Sequence, residues 1–254
     1  MDTLIFQLQA PLSSWGDVAV GEYRPSADHP SKSALLGLLG AALGIDRADD
    51  ATQRALRASV RIAVGVLDPG SLLRDYHTSQ VPSRSDLKKR PHVTRRDELS
   101  LPRYDLNTIL STRDYRQNAA ALVALQAVEG AAFSLAELAA AMARPKFVLY
   151  LGRKSCPLAV PLHPRIIDAP NIRAGFEGYQ EELAALYLKH GLMRTGERAA
   201  QLTKLFWGED FEADEVNAIG AARDLSVNRR DDVISRAGWQ FAERREHVAL
   251  LVKD

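Results

Sequence analysis

Tyr76 and His77 are the adjacent residues whose types are best suited to acid–base chemistry. Cleavage of RNA without a metal needs a base for the 2′-hydroxyl, an acid for the leaving oxygen and a cation for the phosphate. Tyr76, His77 and Arg74, together with nearby lysines, could supply these groups. The favoured interpretation is nevertheless structural, with Tyr76 packed on a strand and His77 hydrogen-bonded or stacked, because the sequence identifies no second catalytic partner.

The run Gly152-Arg153-Lys154-Ser155 is suited to a different task, the binding of phosphate. It places two cations and a hydroxyl directly after a predicted strand, where the glycine frees the backbone. Such groups contact the phosphates of nucleic acids. A charged surface turn without a ligand is the structural alternative.

A second candidate anion site lies at the start of a glycine-interrupted helix predicted over residues 31–45. The pattern consists of five leucines at helical spacing and three glycines: Leu35, Leu36, Leu38, Leu39, Leu43, Gly37, Gly40 and Gly44. The glycines lower helix propensity and leave room for another backbone to approach closely. Ser31 or Ser33 could cap the helix with Lys32 between them, so backbone N–H groups and a cation could together bind an anion. A tightly packed structural helix is the alternative.

The composition is that of an ordinary globular protein. Of the 254 residues, 46% are hydrophobic and 26% are charged, which fits one large domain or two small ones. The formal net charge of +1 means that any nucleic-acid surface must come from local clustering of cations. The first residues lack a signal-peptide pattern and no apolar run approaches a membrane span, so a cytoplasmic location is expected.

No cofactor or metal motif is found in the sequence. The single cysteine, Cys156, excludes an internal disulfide and a cysteine-based metal cluster. The histidines are scattered, with no pair at metal-ligand spacing. The three glycines lie inside a predicted helix and not at a strand-to-helix turn, so they form no dinucleotide-binding fingerprint. We therefore expect no cofactor and no metal.

The hydrophobic pattern predicts strands and helices in a recurring order over the first 160 residues. Strands are predicted at residues 3–9, 60–66, 119–128 and 147–151, and helices at 31–45, 46–59 and 134–143. The first strand is expected to be half-buried, with Leu4, Phe6 and Leu8 on one face. The order is typical of α+β proteins of the ferredoxin-like or RRM type, whose sheets commonly bind RNA.

Residues 73–115 interrupt this order and predict a long hairpin arm with a mobile basic tip. Residues 73–78 and 106–115 have strand character, whereas residues 81–101 show no regular apolar period. The basic residues of the tip are Arg84, Lys88, Lys89, Arg90, Arg95 and Arg96. A loop of about 20 residues is usually functional or disordered, and a solvated linker is the open alternative.

Residues 161–254 predict a smaller C-terminal α/β extension. A helix pair is expected over residues 176–206, with a break at His190-Gly191 and with Ala199, Leu202 and Leu205 in its second helix. Strands are expected at residues 222–227 and 247–252, around basic stretches at 228–230 and 236–241.

Four stretches together resemble the Cas five family of CRISPR-associated proteins, in its type I-E form. They are Leu8-x-x-Pro11 through Trp15-Gly16, the helix segment from Pro30 to Ile45, Leu73-Arg74-Asp75-Tyr76-His77-Thr78, and Tyr150-Leu151-Gly152-Arg153-Lys154-Ser155-Cys156-Pro157-Leu158. The resemblance covers about residues 3–160, and Gln240-Phe241-Ala242 is similar too. Residues 176–215 look like an inserted segment.

The resemblance implies a noncatalytic subunit of the Cascade complex of antiviral defence. Such a subunit caps one end of the complex and holds the 5′ handle of the crRNA in an RRM-like body, residues 1–160. A hairpin thumb, residues 73–115, reaches toward the backbone subunit of the Cas seven family. The implied partners are the crRNA, the backbone subunit, the large subunit and, indirectly, target DNA, with no membrane. The related type I-C subunit is an endoribonuclease, so metal-independent processing of repeat RNA remains the alternative.

The residues expected to act in these roles form two groups. The RNA-binding group is Trp15, Arg24, Lys32, Ser33, Arg74, Tyr76, His77, Arg153, Lys154 and Ser155, with Trp15, Tyr76 and His77 as stacking or base-edge candidates. The group expected to contact a partner from the thumb is Lys88, Lys89, Arg90, Arg95 and Arg96.

Overall fold

The computed structural model describes residues 1–88, 90–194, 200–217 and 224–251. Within these residues the strands are β1 (Asp2–Gln9), β2 (Leu12–Ser13), β3 (Tyr23–Arg24), β4 (Val60–Asp68), β5 (Ser71–Pro82), β6 (Leu106–Gln117), β7 (Ala120–Ala127), β8 (Arg165–Asp168), β9 (Lys204–Gly208), β10 (Asp224–Ser235) and β11 (Gln240–Leu250). The helices are α1 (Lys32–Leu43), α2 (Asp50–Ser59), α3 (Arg84–Lys88), α4 (Arg95–Glu98), α5 (Leu135–Ala143), α6 (Ile172–Lys189) and α7 (Ala213–Val216). None of the described helices combines the length and hydropathy that a membrane span requires.

The main sheet has the strand order β10-β11-β9-β4-β7-β1-β8 among the described residues, and every neighbouring pair is antiparallel. The predicted strands at 3–9, 60–66 and 119–128 are confirmed as β1, β4 and β7. The prediction that β1 is half-buried is wrong, because both of its faces are covered. Phe6 packs with the leucines of α1 and α5, whereas Ile5 packs on the other face against Phe176 and Tyr179 of α6.

The predicted strand at residues 147–151 is wrong. These residues are irregular, apart from an isolated bridge between Tyr150 and Pro157. The reason is that the backbone N–H groups of Lys146 and Phe147 donate to the carbonyls of Ala42 and Ala41, at 3.0 and 3.1 Å. The segment therefore satisfies the C-terminal end of α1, and β8 takes the place beside β1.

Helix α1 begins at Ser31, one of the two predicted caps, and ends before Gly44, which the prediction placed inside the helix. The Ser31 side chain accepts a hydrogen bond from the Ala34 N–H at 3.2 Å, and Gly44 ends the helix in the left-handed conformation with φ of 75°. The prediction that its glycines admit another backbone is wrong. The groups that lie against Gly37 and Gly44 are side chains, the guanidinium of Arg236 and the aliphatic stem of Lys146.

The predicted hairpin arm is confirmed. Strands β5 and β6 pair without interruption from Ser71↔Gln117 to Pro82↔Leu106, and we call this hairpin the thumb. On its other edge β6 pairs with β2 and β3, which joins the base of the thumb to the body. The tip, predicted to be irregular, contains α3, α4 and a 3-10 turn at Arg103–Asp105. Thr94 and Asp97 cap α4 reciprocally.

The C-terminal third is only partly as predicted. Helix α6 is confirmed, but Leu205 lies in strand β9 and not in a second helix, because it pairs with β4 and β11 inside the sheet. Ala199 lies outside the described residues. Strand β10 is longer than predicted and includes the basic stretch at 228–230. The main sheet contains strands from both sides of residue 160. The predicted boundary between two domains at that residue stays a prediction.

Candidate nucleic-acid interface

The base of the thumb brings several of the predicted residues together because three strands meet there. Strand β6 lies between β5 and β3, with Thr112 opposite both Tyr76 and Tyr23. Side chains of laterally paired residues point to the same face of a sheet, and the next residue points to the other. The register therefore assigns each side chain to one of two faces.

One of these, the cationic face, carries Arg24, His77, Arg113 and Arg153. Arg24 pairs with Arg113 in the register of β3 and β6, and His77 pairs with Ser111 further along the thumb. The Arg153 guanidinium lies 4.5 Å from the centre of the Tyr115 ring, which is on the same face. It also donates to the carbonyls of Asp114 and Arg24, at 3.3 and 3.5 Å.

The charges of this face are largely uncompensated. Among the described residues, the hydrogen-bond acceptors of the Arg24 side chain are the carbonyls of Gly21 and Tyr23, at 2.6 and 3.1 Å. Within the described residues, none of the guanidinium groups of Arg24, Arg113 and Arg153 forms an ion pair with a carboxylate. Asp75 is opposite Arg113 in the register and is the acidic residue of β5 on this face. Three guanidinium groups on one surface can bind successive phosphates.

A tight loop at residues 150–157 holds Arg153 in place. The Ser14 N–H donates to the Leu151 carbonyl at 3.0 Å, and the Leu151 N–H donates to the Cys156 carbonyl at 2.8 Å. Gly152 has φ of 86°, and a Cβ atom at this position would lie 1.8 Å from the Ser14 carbonyl oxygen. Lys154 and Ser155 are exposed at the tip of this loop, next to Arg153.

The aromatic face, on the other side of the thumb base, contains Tyr23, Arg74, Tyr76 and Asp114. Arg74 donates to both oxygens of the buried Asp114 carboxylate, at 2.9 and 3.1 Å, and Tyr23 donates to it at 2.6 Å. The hydrogen bond from Arg74 lowers the pKa of Asp114, burial opposes this, and the Tyr23 hydroxyl adds to the lowering. The charge of Arg74 is thus already compensated within the protein.

Tyr76 and His77 lie on opposite faces of the thumb, since they are consecutive residues of β5. Tyr76 is 67% exposed on the aromatic face, and His77 is half-buried on the cationic face. The structure does not bring them together as an acid–base pair.

Three further candidates lie elsewhere. Trp15 is 4% exposed and packs in the core with the leucines of α1, so its ring is not open to a base. At the start of α1, the Lys32 N–H donates to the Asp231 carboxylate at 2.8 Å, and Ser33 is hydrogen-bonded to Ser31. The predicted anion site is therefore already filled by a carboxylate of β10, which a reading of residues 31–45 alone does not reveal.

The thumb tip presents some of its cations to solvent and uses others internally. Lys88 and Arg96 are exposed. Arg90 donates to the Ser100 and Glu98 carbonyls at 3.0 and 2.6 Å, and Arg95 pairs with Glu98 at 2.6 Å. Lys89 lies outside the described residues.

Sequence reasoning missed Arg113, Tyr115, Tyr23 and Asp114 as members of the site. The strand character of β6 was visible in the sequence, but its alternation alone does not say which residues share a face with Arg24 and Arg153. The missing information is the register of β6 with β3, which joins residues about 90 positions apart.

Comparison with known proteins gives a consistent set of relatives. A family model described as CRISPR-associated protein (Cas_Cas5) matches residues 3–246. The chain is 37% identical over 167 residues to the CRISPR system Cascade subunit CasD of Escherichia coli (strain K12), which covers 63% of this chain and 68% of that protein.

Two solved structures are similar over nearly the whole chain. The first, entitled "CRISPR RNA-guided surveillance complex", has a TM-score of 0.60 and 22% identity, covering 98% of this chain and 89% of that chain. The second, entitled "Crystal structure of Cas protein", has a TM-score of 0.56 and 25% identity, covering 98% and 95%.

Proposed function

Because the chain belongs to the Cas5 family and is a subunit of the CasD kind in a type I-E Cascade complex of CRISPR defence, we propose that it binds the 5′ handle of the crRNA on the cationic face. The observation that supports this site is the meeting of Arg24, Arg113 and Arg153 without carboxylate partners among the described residues. Single-stranded RNA is held by phosphate contacts together with stacking of unpaired bases. His77 on the same face, and Lys154 and Ser155 beside Arg153, extend the surface.

The proposed body is a ferredoxin-like, RRM-type domain formed by residues 1–160 together with β8. Strands β8, β1, β7 and β4 are neighbours in that order, and the chain connects them through α1 and α5. Both helices contribute leucines to the same core cluster, which supports their packing on one face of the sheet. The remaining residues, through 254, form the C-terminal extension.

The thumb tip is proposed to contact the backbone subunit of the complex, and the large subunit is the other proposed protein partner. Lys88, Arg95 and Arg96 are the exposed cations of the described tip that the sequence assigned to this role, and Arg95 is paired with Glu98. Target DNA is contacted only through the crRNA and these subunits in this proposal.

Replacing Arg24 and Arg153 together with alanine is expected to weaken binding of a labelled handle RNA by about 10- to 100-fold, because each substitution removes a charge-assisted hydrogen bond to phosphate. The slope of log affinity against log salt should also fall by about 0.7 for each phosphate that the protein no longer neutralises. Fluorescence anisotropy of the purified chain at several salt concentrations measures both quantities. The control is Arg144→Ala, an exposed arginine at the end of α5. Unchanged affinity and slope in the double variant would contradict the proposed site.

A noncatalytic role predicts that repeat RNA stays intact when the isolated chain is incubated with it in EDTA. The separation of Tyr76 and His77 on two faces removes the pair that a metal-independent cleavage would use. A denaturing gel checks the result. A discrete cut that is lost in His77→Ala would instead support the nuclease alternative.

A further inference from the structure

The turn between β10 and β11 exposes a tryptophan in an unusual backbone conformation. Trp239 is 61% exposed and has φ of 53°, in the left-handed region. That region is unfavourable for a residue with a bulky side chain, and residues held there are concentrated at sites of function. The Trp239 N–H donates to the Arg236 carbonyl at 3.4 Å, which closes the turn.

The exposed indole is held in one orientation by its neighbours. The guanidinium carbon of Arg47 lies 4.5 Å from the centre of the indole ring, and the ring of Phe241 meets it edge-on at 5.4 Å. A side chain that is already ordered loses little entropy when a partner covers it. Tryptophan and arginine are also the residue types that most often dominate the binding energy of protein interfaces.

The guanidinium groups of Arg47, which lies over the indole, and of Arg236, in the same turn as Trp239, lack a carboxylate partner among the described residues. Arg47 donates from Nε to the Arg236 carbonyl at 3.1 Å. The Arg236 guanidinium lies flat against Gly37, donates to the Ser33 carbonyl, and has a buried Nε without a hydrogen-bond partner. Burial lowers the pKa of Arg236, and the like charge of Arg47 lowers it further.

Asp50, an acidic residue in contact with this turn, already has other hydrogen-bond partners. The Asp50 carboxylate accepts hydrogen bonds from the Ser235 hydroxyl at 2.7 Å and from the N–H groups of Arg236 and Ala237 at 3.1 and 3.3 Å. It fixes the turn and does not neutralise either guanidinium. A carboxylate supplied by a partner would offset the positive charge of the two guanidinium groups and reduce the repulsion between them.

We infer that Trp239, Arg47 and Arg236, together the Trp239 patch, form a docking site for another protein subunit, one that presents carboxylates beside an apolar pocket for the indole. The inference rests on the proposed function only in taking that subunit from the same complex. A protein fits better than RNA, because Asp46, Asp49 and Asp50 surround Arg47 in the sequence and would repel a continuous phosphate backbone. A protein can place single carboxylates opposite the two arginines without bringing negative charge close to the aspartates.

The test uses Trp239→Ala and Arg47→Glu in the full chain, with two matched controls. Leu192→Ala removes another exposed apolar side chain, and Arg144→Glu makes the same charge change at an exposed arginine. Each variant is titrated against the other purified protein subunits of the complex, one at a time, and against labelled handle RNA. Thermal unfolding of each variant shows that it is folded.

The expected result is a loss of at least about 10-fold in affinity for one protein subunit in both patch variants, with RNA affinity within about twofold and both controls unchanged. Unchanged affinity for every protein subunit would overturn the inference. A loss of RNA affinity instead would assign the patch to nucleic acid. Because the Arg24 and Arg153 variants test the cationic face separately, failure of one proposal is distinguishable from failure of the other.

Discussion

Replacing Gly152 with alanine is expected to lower the free energy of unfolding by more than ~3 kcal/mol, because the new side chain meets both a strained backbone angle and a backbone clash. The φ angle of 86° is unfavourable for any residue with a Cβ, and that Cβ would lie 1.8 Å from the Ser14 carbonyl oxygen. The oxygen has little freedom to move, since the Ser14 N–H is itself bonded to the Leu151 carbonyl. Chemical denaturation of the purified chain measures the loss.

Gly130→Ala is the matched control for this prediction. Gly130 has φ of 71°, also in the left-handed region, but nothing lies within 4 Å of an added Cβ. It should lose only about 1 kcal/mol, the cost of the angle alone. Equal losses in the two variants would show that the loop at 150–157 relaxes freely, and would remove the structural reason for a glycine before Arg153.

The features predicted correctly from the sequence depend on interactions between residues close in the chain. The serine cap of α1, the helix predicted at residues 134–143, and the strands predicted at residues 60–66 and 119–128 are all of this kind. The strand predicted at 147–151 fails for a nonlocal reason. Its apolar run is that of a strand, but the N–H groups of Lys146 and Phe147, where the strand would begin, donate to the carbonyls of Ala42 and Ala41.

The candidate site shows the same division. The types of Arg24 and Arg153 were enough to propose phosphate contact, and the structure places them side by side although they are 129 positions apart. Lys32 and Ser33 were proposed on equally good local chemistry. The Asp231 carboxylate, 199 positions away, accepts a hydrogen bond from the Lys32 N–H. The sequence around Lys32 contains nothing that would predict this contact. Arg113 was missed because its face is set by pairing with β3.

The second large effect is expected at Glu246, a buried carboxylate of β11 that is 3% exposed. It accepts hydrogen bonds from Arg244 at 2.6 Å and Arg229 at 3.3 Å, and its other contact is the His29 ring nitrogen at 2.9 Å. Burial raises the pKa of Glu246, but the hydrogen bond to His29 and the charges of His29, Arg229 and Arg244 outweigh it and lower the pKa to about 2.

A folded-state pKa below the ordinary value of 4.5 fixes the sign of the pH effect. The carboxylate stabilises the fold at and above pH 4.5, and this stabilisation is lost as the pH falls from about 4.5 toward 2. The difference in pKa corresponds to about 3 kcal/mol. Asp28 acts in the same direction, because hydrogen bonds from His29 and Lys204 lower its pKa against the opposing effect of burial.

Glu246→Gln is therefore expected to lower the free energy of unfolding at pH 7 by about 2–4 kcal/mol, since it leaves the charges of Arg229 and Arg244 without this partner in a buried site. The variant should also lose less additional stability than the parent between pH 5 and pH 3, because the titrating group is gone. Urea unfolding across this range measures both effects. Glu243→Gln, an exposed position on the same strand, is the control and should change stability by less than ~0.5 kcal/mol. An acid dependence in Glu246→Gln as steep as in the parent would assign the acid sensitivity to other carboxylates, Asp28 first among them.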